Sequence, residues 1–259
     1  MSTALQPLLW VALSATLIMT AVWWLQWRTS NAGYVDVAWA LMLGTSALSF
    51  GLLANGDIVT RAMVAVLGGL WGFRLGLNLL HRVLREPEDG RYRFLRLHWQ
   101  GQQGKFFGFF VFQAGLTTLF AAPMLAAAQN PLPLGWAQLL VATMIWTVSL
   151  GGESIADGQL DRFRTNPANR GKTCRDGLWR YSRHPNYFFE WLHWFTYVVL
   201  AIGSPLFWLT WIGPVLMLVS LNWVTGIPFV EAQSLRSRGD DYRDYQRTTS
   251  RFIPWMPRP

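Results

Sequence analysis

A chain of 259 residues that is 52% hydrophobic, with 16 Trp, 16 Phe and only 14% charged residues, is too apolar and too aromatic for an ordinary soluble domain. Its formal net charge of +8 does not point to nucleic acid, because no soluble domain is left to present the cations. One cysteine, Cys174, excludes an intrachain disulfide and a multi-cysteine metal site.

Apolar runs of about 18 residues or more mark transmembrane helices, because ~20 helical residues cross a ~30 Å hydrocarbon layer. Seven such runs are predicted, near Leu5 to Trp27, Asp36 to Ala54, Val59 to Leu80, Phe106 to Ala128, Leu134 to Ala156, Tyr187 to Gly203 and Leu206 to Gly226. The first reads as a retained helix rather than a signal peptide, since it lacks a basic start and ends in Trp-Trp-Leu-Gln-Trp rather than small residues. The expected fold is an all-α polytopic bundle of about seven spans. Of the 22 Lys and Arg, only Arg61 lies near the short loops 55–57, 129–133 and 203–205. The rest share the other side, which makes that side cytoplasmic and places the N-terminus outside and the C-terminus inside. Attraction to anionic membrane lipids adds to this polarity. No linker or composition break divides residues 1–259, so a single membrane domain is expected. Residues 1–130 are mostly apolar, and residues 131–259 hold most of the polar groups at membrane depth, where a cofactor should sit.

In chain order, Asp36 is the first group of chemical interest. It is either a first-turn acid favoured by the helix dipole or a buried carboxyl that stays protonated and donates to a developing enolate oxygen. Tyr34, Gln113 and Glu190 are rivals for that role. The third span ends with Arg74, Asn78 and either His81 or Arg82 on one face, and Arg74 lies deepest. The fifth span runs on as a polar helix in which Glu153, Asp157 and Arg164 fall at helical spacing. This stripe is either a solvated helix end or a binding face, and the position of Glu153, just beyond an apolar run, favours the second. Beyond it, residues 165–176 form a loop in which Arg164, Arg170, Lys172 and Arg175 would converge to hold phosphate. The densest stretch is Gly177-Leu-Trp-Arg-Tyr-Ser-Arg-His-Pro-Asn-Tyr187, followed by Glu190. It sets Arg180, Arg183, His184, Asn186, Tyr187 and Glu190 at a helix entrance, where backbone N–H groups favour anions. The tail, 231–255, interleaves acids with Tyr242 and Tyr245, either as a helix lying on the membrane or as a cover for a nucleotide. No Gly-x-Gly-x-x-Gly follows a strand, so a Rossmann site is excluded.

The motif at 177–190, with the Tyr-x-x-Tyr tail ahead of Phe252-Ile-Pro-Trp255, resembles the signatures of the steroid 5-alpha-reductase family and especially its bacterial relatives, over roughly residues 150–257. The resemblance implies a seven-helix reductase, in a bacterial inner membrane, that uses NADPH to reduce an enone carbon–carbon double bond in a steroid-like or other lipid. It implies cofactor contacts at Arg74, Arg91 or Arg93, Glu153, Asp157, Arg164, Lys172, Arg183, His184, Asn186, Tyr187 and Tyr245. Catalytic roles would fall to Asp36, Trp71 and Glu190. Two positions depart from the family pattern. Val35-Asp36 and Trp71 stand where animal steroid reductases carry a Gln-Glu pair and a Tyr, and an indole N–H donates a hydrogen bond but does not protonate an oxygen. Asp36 must then do more, or the substrate is not a 3-oxo steroid. Phe189 stands where relatives carry Gly, narrowing the space beside Asn186. The Arg-His-Pro-x-Tyr stretch is also similar to S-adenosylmethionine-dependent membrane methyltransferases of the isoprenylcysteine and phospholipid type. Converging cations would be wasted on a ligand without phosphate, which favours NADPH. A non-enzymatic lipid-binding protein is the third reading.

Overall fold

The structure is a computed structural model that describes residues 3–224 and 226–258, and among these every regular element is helical. In chain order they are α1 (Gln6–Thr29), α2 (Tyr34–Leu53), α3 (Ile58–Arg85, with a π-helical turn at Val64–Gly68), α4 (Gly90–His98), α5 (Gln103–Ala128), α6 (Trp136–Thr165), α7 (Pro185–His193), α8 (Phe195–Leu200), α9 (Ile212–Val219), α10 (Ile227–Arg238) and α11 (Asp240–Thr248). Among the described residues six stretches are long and apolar enough to cross a membrane: α1, α2, α3, α5, α6 and Phe207–Arg238. The expected all-α membrane fold is therefore present, with two differences in detail. The run Tyr187 to Gly203 is broken at Trp194 into α7 and α8, which have 9 and 6 residues. At 1.5 Å per residue, each is about half the ~30 Å thickness or less. The last run is longer than expected, because the stretch Phe207–Arg238 includes both a π turn at Ser220–Val224 and the helix α10.

The chain forms two compact units. Unit 1 comprises Met1–Leu139 and Tyr197–Gly213, and unit 2 comprises Leu140–Thr196 and Pro214–Pro259. In unit 1, α1 lies along α5 and α2 lies along α3. The second pairing is a seam of small residues. A Cβ added at Gly72 would stand 2.6 Å from the Gly44 nitrogen and 2.9 Å from the Ala40 carbonyl oxygen, and one added at Gly68 would meet the Ala47 Cβ at 2.6 Å. The two backbones touch where no side chain fits, as in other small-residue contacts between membrane helices. A second core forms between α1, α2, α4 and α5 around Met19, Val35, Met42, Tyr92, Phe106 and Phe110. Unit 2 packs α6 from Leu140 onward, α7 and the segments after Pro214, held together by polar contacts described below.

Gly72→Ala is expected to force α2 and α3 apart and to destabilise unit 1 by about 1–3 kcal/mol, the usual cost of overpacking. Gly108→Ala, where an added Cβ meets nothing within 4 Å, should leave the melting temperature in detergent unchanged or raise it. Equal melting temperatures for the two variants would refute the seam.

Candidate functional site

In unit 1 the polar residues gather where α4 meets α1, α2 and α5. Asp89 caps α4 by accepting from the Arg91 N–H at 2.9 Å. The Arg91 guanidinium then reaches Asp89 through Nε (3.1 Å) and Asp36 Oδ2 through Nη2 (3.1 Å). The Tyr92 hydroxyl donates to the other Asp36 oxygen at 2.7 Å. Both Asp36 oxygens thus accept, one from Arg91 and one from Tyr92. Burial, followed by the Asp36 charge, pushes the Tyr92 hydroxyl well above the ordinary tyrosine range. Burial disfavours the charge on Asp89, but the Arg91 guanidinium outweighs it and holds this carboxyl below its usual value. Beside this group, Arg96 forms a two-pronged pair with Glu88 (2.7 and 3.1 Å) and reaches the fully buried Gln26 at 3.3 Å, which donates to Gln103 at 2.8 Å. Arg93 is exposed and donates to the Glu88 carbonyl at 3.2 Å. Trp71 is fully buried, edge-on to Trp39. Arg74 is half-buried on the same helix, whereas Asn78, His81 and Arg82 are exposed.

In unit 2 the polar end of α6 forms the floor. Asn186, at the start of α7, donates to Asp157 Oδ1 at 3.1 Å, and Glu153 is buried one turn earlier on α6. The Phe189 ring seats on Gly152, where an added Cβ would come within 2.5 Å. The loop before α7 is laid onto the same helix. The Leu178 N–H donates to Gln159 Oε1 at 2.9 Å and the Trp179 indole N–H to the Ala156 carbonyl at 2.8 Å. Gly177 makes the turn between them at φ +56°, with Gln159 pressed against its open face.

The next turn of α6 opens a cavity of about 160 Å³ whose lining includes Arg164, Asn169, Arg170, Lys172, Cys174 and Arg238. Four cations thus face one small volume, which makes it locally positive. Arg175 is not among them. It pairs with Asp241 (3.0 Å) and Asp244 (2.9 Å) of α11, and the Thr173 N–H donates to Asp241 at 2.7 Å. Burial raises the Cys174 thiol above its ordinary range, so the sulfur in this wall is an unreactive thiol rather than a nucleophile.

Arg183 and His184 turn inward. The Arg183 side chain donates to Glu231 Oε1 (2.7 Å) and to the carbonyls of Gln246 (3.1 Å) and Thr249 (2.7 Å). The same Glu231 carboxylate meets His184 Nε2 at 3.3 Å, the Tyr242 hydroxyl at 3.4 Å and Gln246 Nε2 at 2.9 Å. Burial lowers the His184 value more than Glu231 raises it, so the ring is neutral near pH 7. The Tyr245 hydroxyl donates to the carbonyls of Trp179 and Ser182, and Tyr187 is half-buried with its ring stacked on His184.

The residues expected to form one site thus fall into groups. Asp157 and Asn186 are joined, with Glu153 a turn from Asp157 and Glu190 a turn from Asn186. Arg164 and Lys172 share the cationic cavity. Arg183, His184 and Tyr245 are tied to the chain's tail, and Asp36, Trp71, Arg74, Arg91 and Arg93 belong to unit 1. Arg238, Tyr92 and Glu231 went unnamed as candidates. Glu231 is the lone acid between Glu190 and Asp240, and it follows a long apolar run. That isolation was the available signal. Arg238 offered none, since only the fold carries it to the loop.

These features define a polytopic all-helical membrane protein with a small cation-lined cavity in unit 2 and a carboxylate–amide pair on the same helix. The chain belongs to the family described as protein of unknown function (DUF1295), whose match covers residues 22–249, a steroid 5-alpha-reductase-like family. It is also similar to the uncharacterized protein C594.04c of Schizosaccharomyces pombe, at 27% identity over 90% of this chain and 75% of that protein. No solved structure matches.

Two outcomes are expected. Arg183→Ala leaves the half-buried Glu231 without its closest cation and should cost about 1–3 kcal/mol, read as a clear drop in melting temperature in detergent, whereas Arg170→Ala at the exposed cavity rim should cost less than about 0.5 kcal/mol. The second concerns acid. Because His184 is held below 6.5 in the fold, the unfolded chain takes up a proton first as the pH falls. The stability from the neutral ring is complete above the unfolded value and is lost as the pH drops from there toward the folded value. Wild-type melting temperature should therefore fall further between about pH 7.5 and about pH 5.5 than that of His184→Gln. Parallel curves would show that the fold does not shift His184, and a smaller fall in the wild type would show that the ring is charged in the fold.

Proposed function

We propose that this protein is an integral membrane reductase that uses NADPH to saturate an enone carbon–carbon double bond in a steroid-like or other lipid. The observation that supports it best is the cavity in unit 2 ringed by Arg164, Arg170, Lys172 and Arg238. A phosphorylated dinucleotide brings several negative charges, and guanidiniums match phosphate oxygens two at a time. S-adenosylmethionine carries a sulfonium and no phosphate, and would gain nothing from these four cations. When bound, NADPH supplies a hydride, two electrons with one proton.

The residues present fit such a group in two further respects. Asp157 and Asn186 offer a half-exposed acceptor and amide close to the cavity in sequence and on the same helix face, with Glu153 and Glu190 beside them. Arg183, His184 and Tyr245 act on this reading by holding the start of α7 in place, and Tyr187 stacks on that pin. In unit 1, Arg91 is held by Asp36 and Asp89, so phosphate binding is assigned to the unit 2 cations before Arg74, Arg91 or Arg93. Also in unit 1, Asp36 with its donor Tyr92, and Trp71, are the groups assigned to the polar end of the lipid, and in unit 2 Glu190 is assigned to proton supply. The positive-inside pattern supports a cytoplasmic cavity, with the N-terminus on the far side.

The test is thermal stabilisation of the detergent-purified protein. NADPH at 100 times its Kd should add about 2.7 kcal/mol of stability, with smaller effects from NADH and S-adenosylmethionine. The double variant Arg170→Ala, Lys172→Ala should weaken NADPH by about 100-fold or more, since each charge-assisted hydrogen bond contributes about 1.5–3 kcal/mol. Stabilisation by S-adenosylmethionine alone would make the protein a methyltransferase, and a response to neither would leave a lipid-binding protein.

A further inference from the structure

Of the four histidines, His81 and His98 are exposed and His184 is tied to Glu231. The fourth, His193, is fully buried. It closes α7, and Asn186, Glu190 and His193 recur along that helix at spacings of four and three, so they share one face. That face meets α6. Asn186 bonds Asp157 and Phe189 seats on Gly152, so α7 runs antiparallel to α6. In this register Glu153 comes level with Glu190, and the buried Ser149 level with His193. One turn past His193, Thr196 is fully buried, and its hydroxyl has no hydrogen-bond partner among the described residues.

Unit 2 therefore contains a line of polar groups that begins half-exposed at Asp157, Asn186 and Glu190 and ends sealed at His193 and Thr196. An ionisable group in an apolar interior is expensive, and where one stands beside an acid the default reading is a path for protons or ions. A histidine kept for packing alone needs neither an acid one turn away nor an unsatisfied hydroxyl one turn beyond.

We propose that His193 is a proton relay, taking a proton from Glu190 and passing it to the Thr196 hydroxyl, which delivers the proton consumed when the lipid double bond is saturated. This rests on the reductase reading. Saturation adds a hydride to one carbon, with the reduced nicotinamide as its source and the oxidised nicotinamide as by-product, and adds a proton to the other carbon. The proton comes from water through Glu190. The relay moves no electrons: imidazole becomes imidazolium and returns, and the hydroxyl accepts one proton and donates another, as a group with both capacities does. The charged neighbours on the two helices are Glu190 from α7 and Glu153 from α6.

The proposal is tested without turnover. The full chain in detergent micelles, labelled with ring-15N histidine, gives signals from four imidazoles, and His193→Gln identifies one of them. If that variant fails to fold, Thr196→Val, which keeps the shape of the side chain, identifies the signal by displacing it. The His193 ring is expected to titrate with bulk pH between about 5.5 and 8, and its midpoint to move by about half a unit or more when NADP+ replaces NADPH, a change of charge nearby. A His193 signal fixed in one tautomer across that range overturns the relay, as does a midpoint indifferent to either cofactor in protein that both stabilise thermally. If NADPH does not stabilise the protein at all, the reductase reading falls and the relay falls with it.

Discussion

Unit 2 depends on a single carboxylate. Glu231 stands within a turn of the apolar stretch that precedes it, and a charge in that position persists only if other groups replace its water. Four donors do so: Arg183, His184, Tyr242 and Gln246. Two of these come from the loop that opens α7 and two from α11. The carboxylate therefore holds together segments far apart in sequence. Because Arg183 and His184 immediately precede Pro185 and Asn186, the placement of Asn186 against Asp157 follows from it. The residues nearest the motif's centre are thus the ones that face inward, while the cations that line the cavity lie in the adjacent loop and at the end of α10.

Unit 1 is held by a different device. Its tightest joint contains no charge and no large side chain, only Gly44, Ala47, Gly68 and Gly72 at the spacing that lets two helices meet backbone to backbone. Its polar cluster is confined to α4 and the helix ends that α4 touches. There the Asp36–Arg91–Asp89 and Glu88–Arg96 pairs satisfy each other's charge at 2.7 to 3.1 Å. One unit is ordered by removing side chains and the other by matching ionised ones.

Much of this was legible in the sequence. The membrane spans follow from apolar length alone, and the join of Asp157 to Asn186 was foreshadowed by helical spacing and by the signature around Asn186. The convergence of Arg164, Arg170 and Lys172 could be read from their crowding in one loop. What escaped has a common cause. The break at Trp194 does not interrupt the apolar run, so hydropathy passed over it. Arg175 looked like Arg170 until α11 brought two aspartates to it, and Asp36 looked like a lone acid until α4 brought Arg91 and Tyr92. A charged side chain's role is set by the partner that reaches it, and those partners lie about 55 to 70 residues away in sequence.

The tail's contacts also set a schedule. Ser182 donates to the Phe252 carbonyl, the Arg183 N–H to the Ser250 carbonyl and the Trp255 N–H to the Tyr181 carbonyl. The segment that begins α7 is thus completed by residues synthesised about 70 positions later. At about 5–20 residues per second, residues 181–184 wait several seconds, already beside the bilayer, before their partners leave the ribosome. For that interval Arg183 has neither Glu231 nor the tail carbonyls and must stay in contact with water. Unit 2 is therefore assembled after its spans are inserted, and a nascent chain halted before Ser250 carries the signature motif without the architecture that gives it meaning.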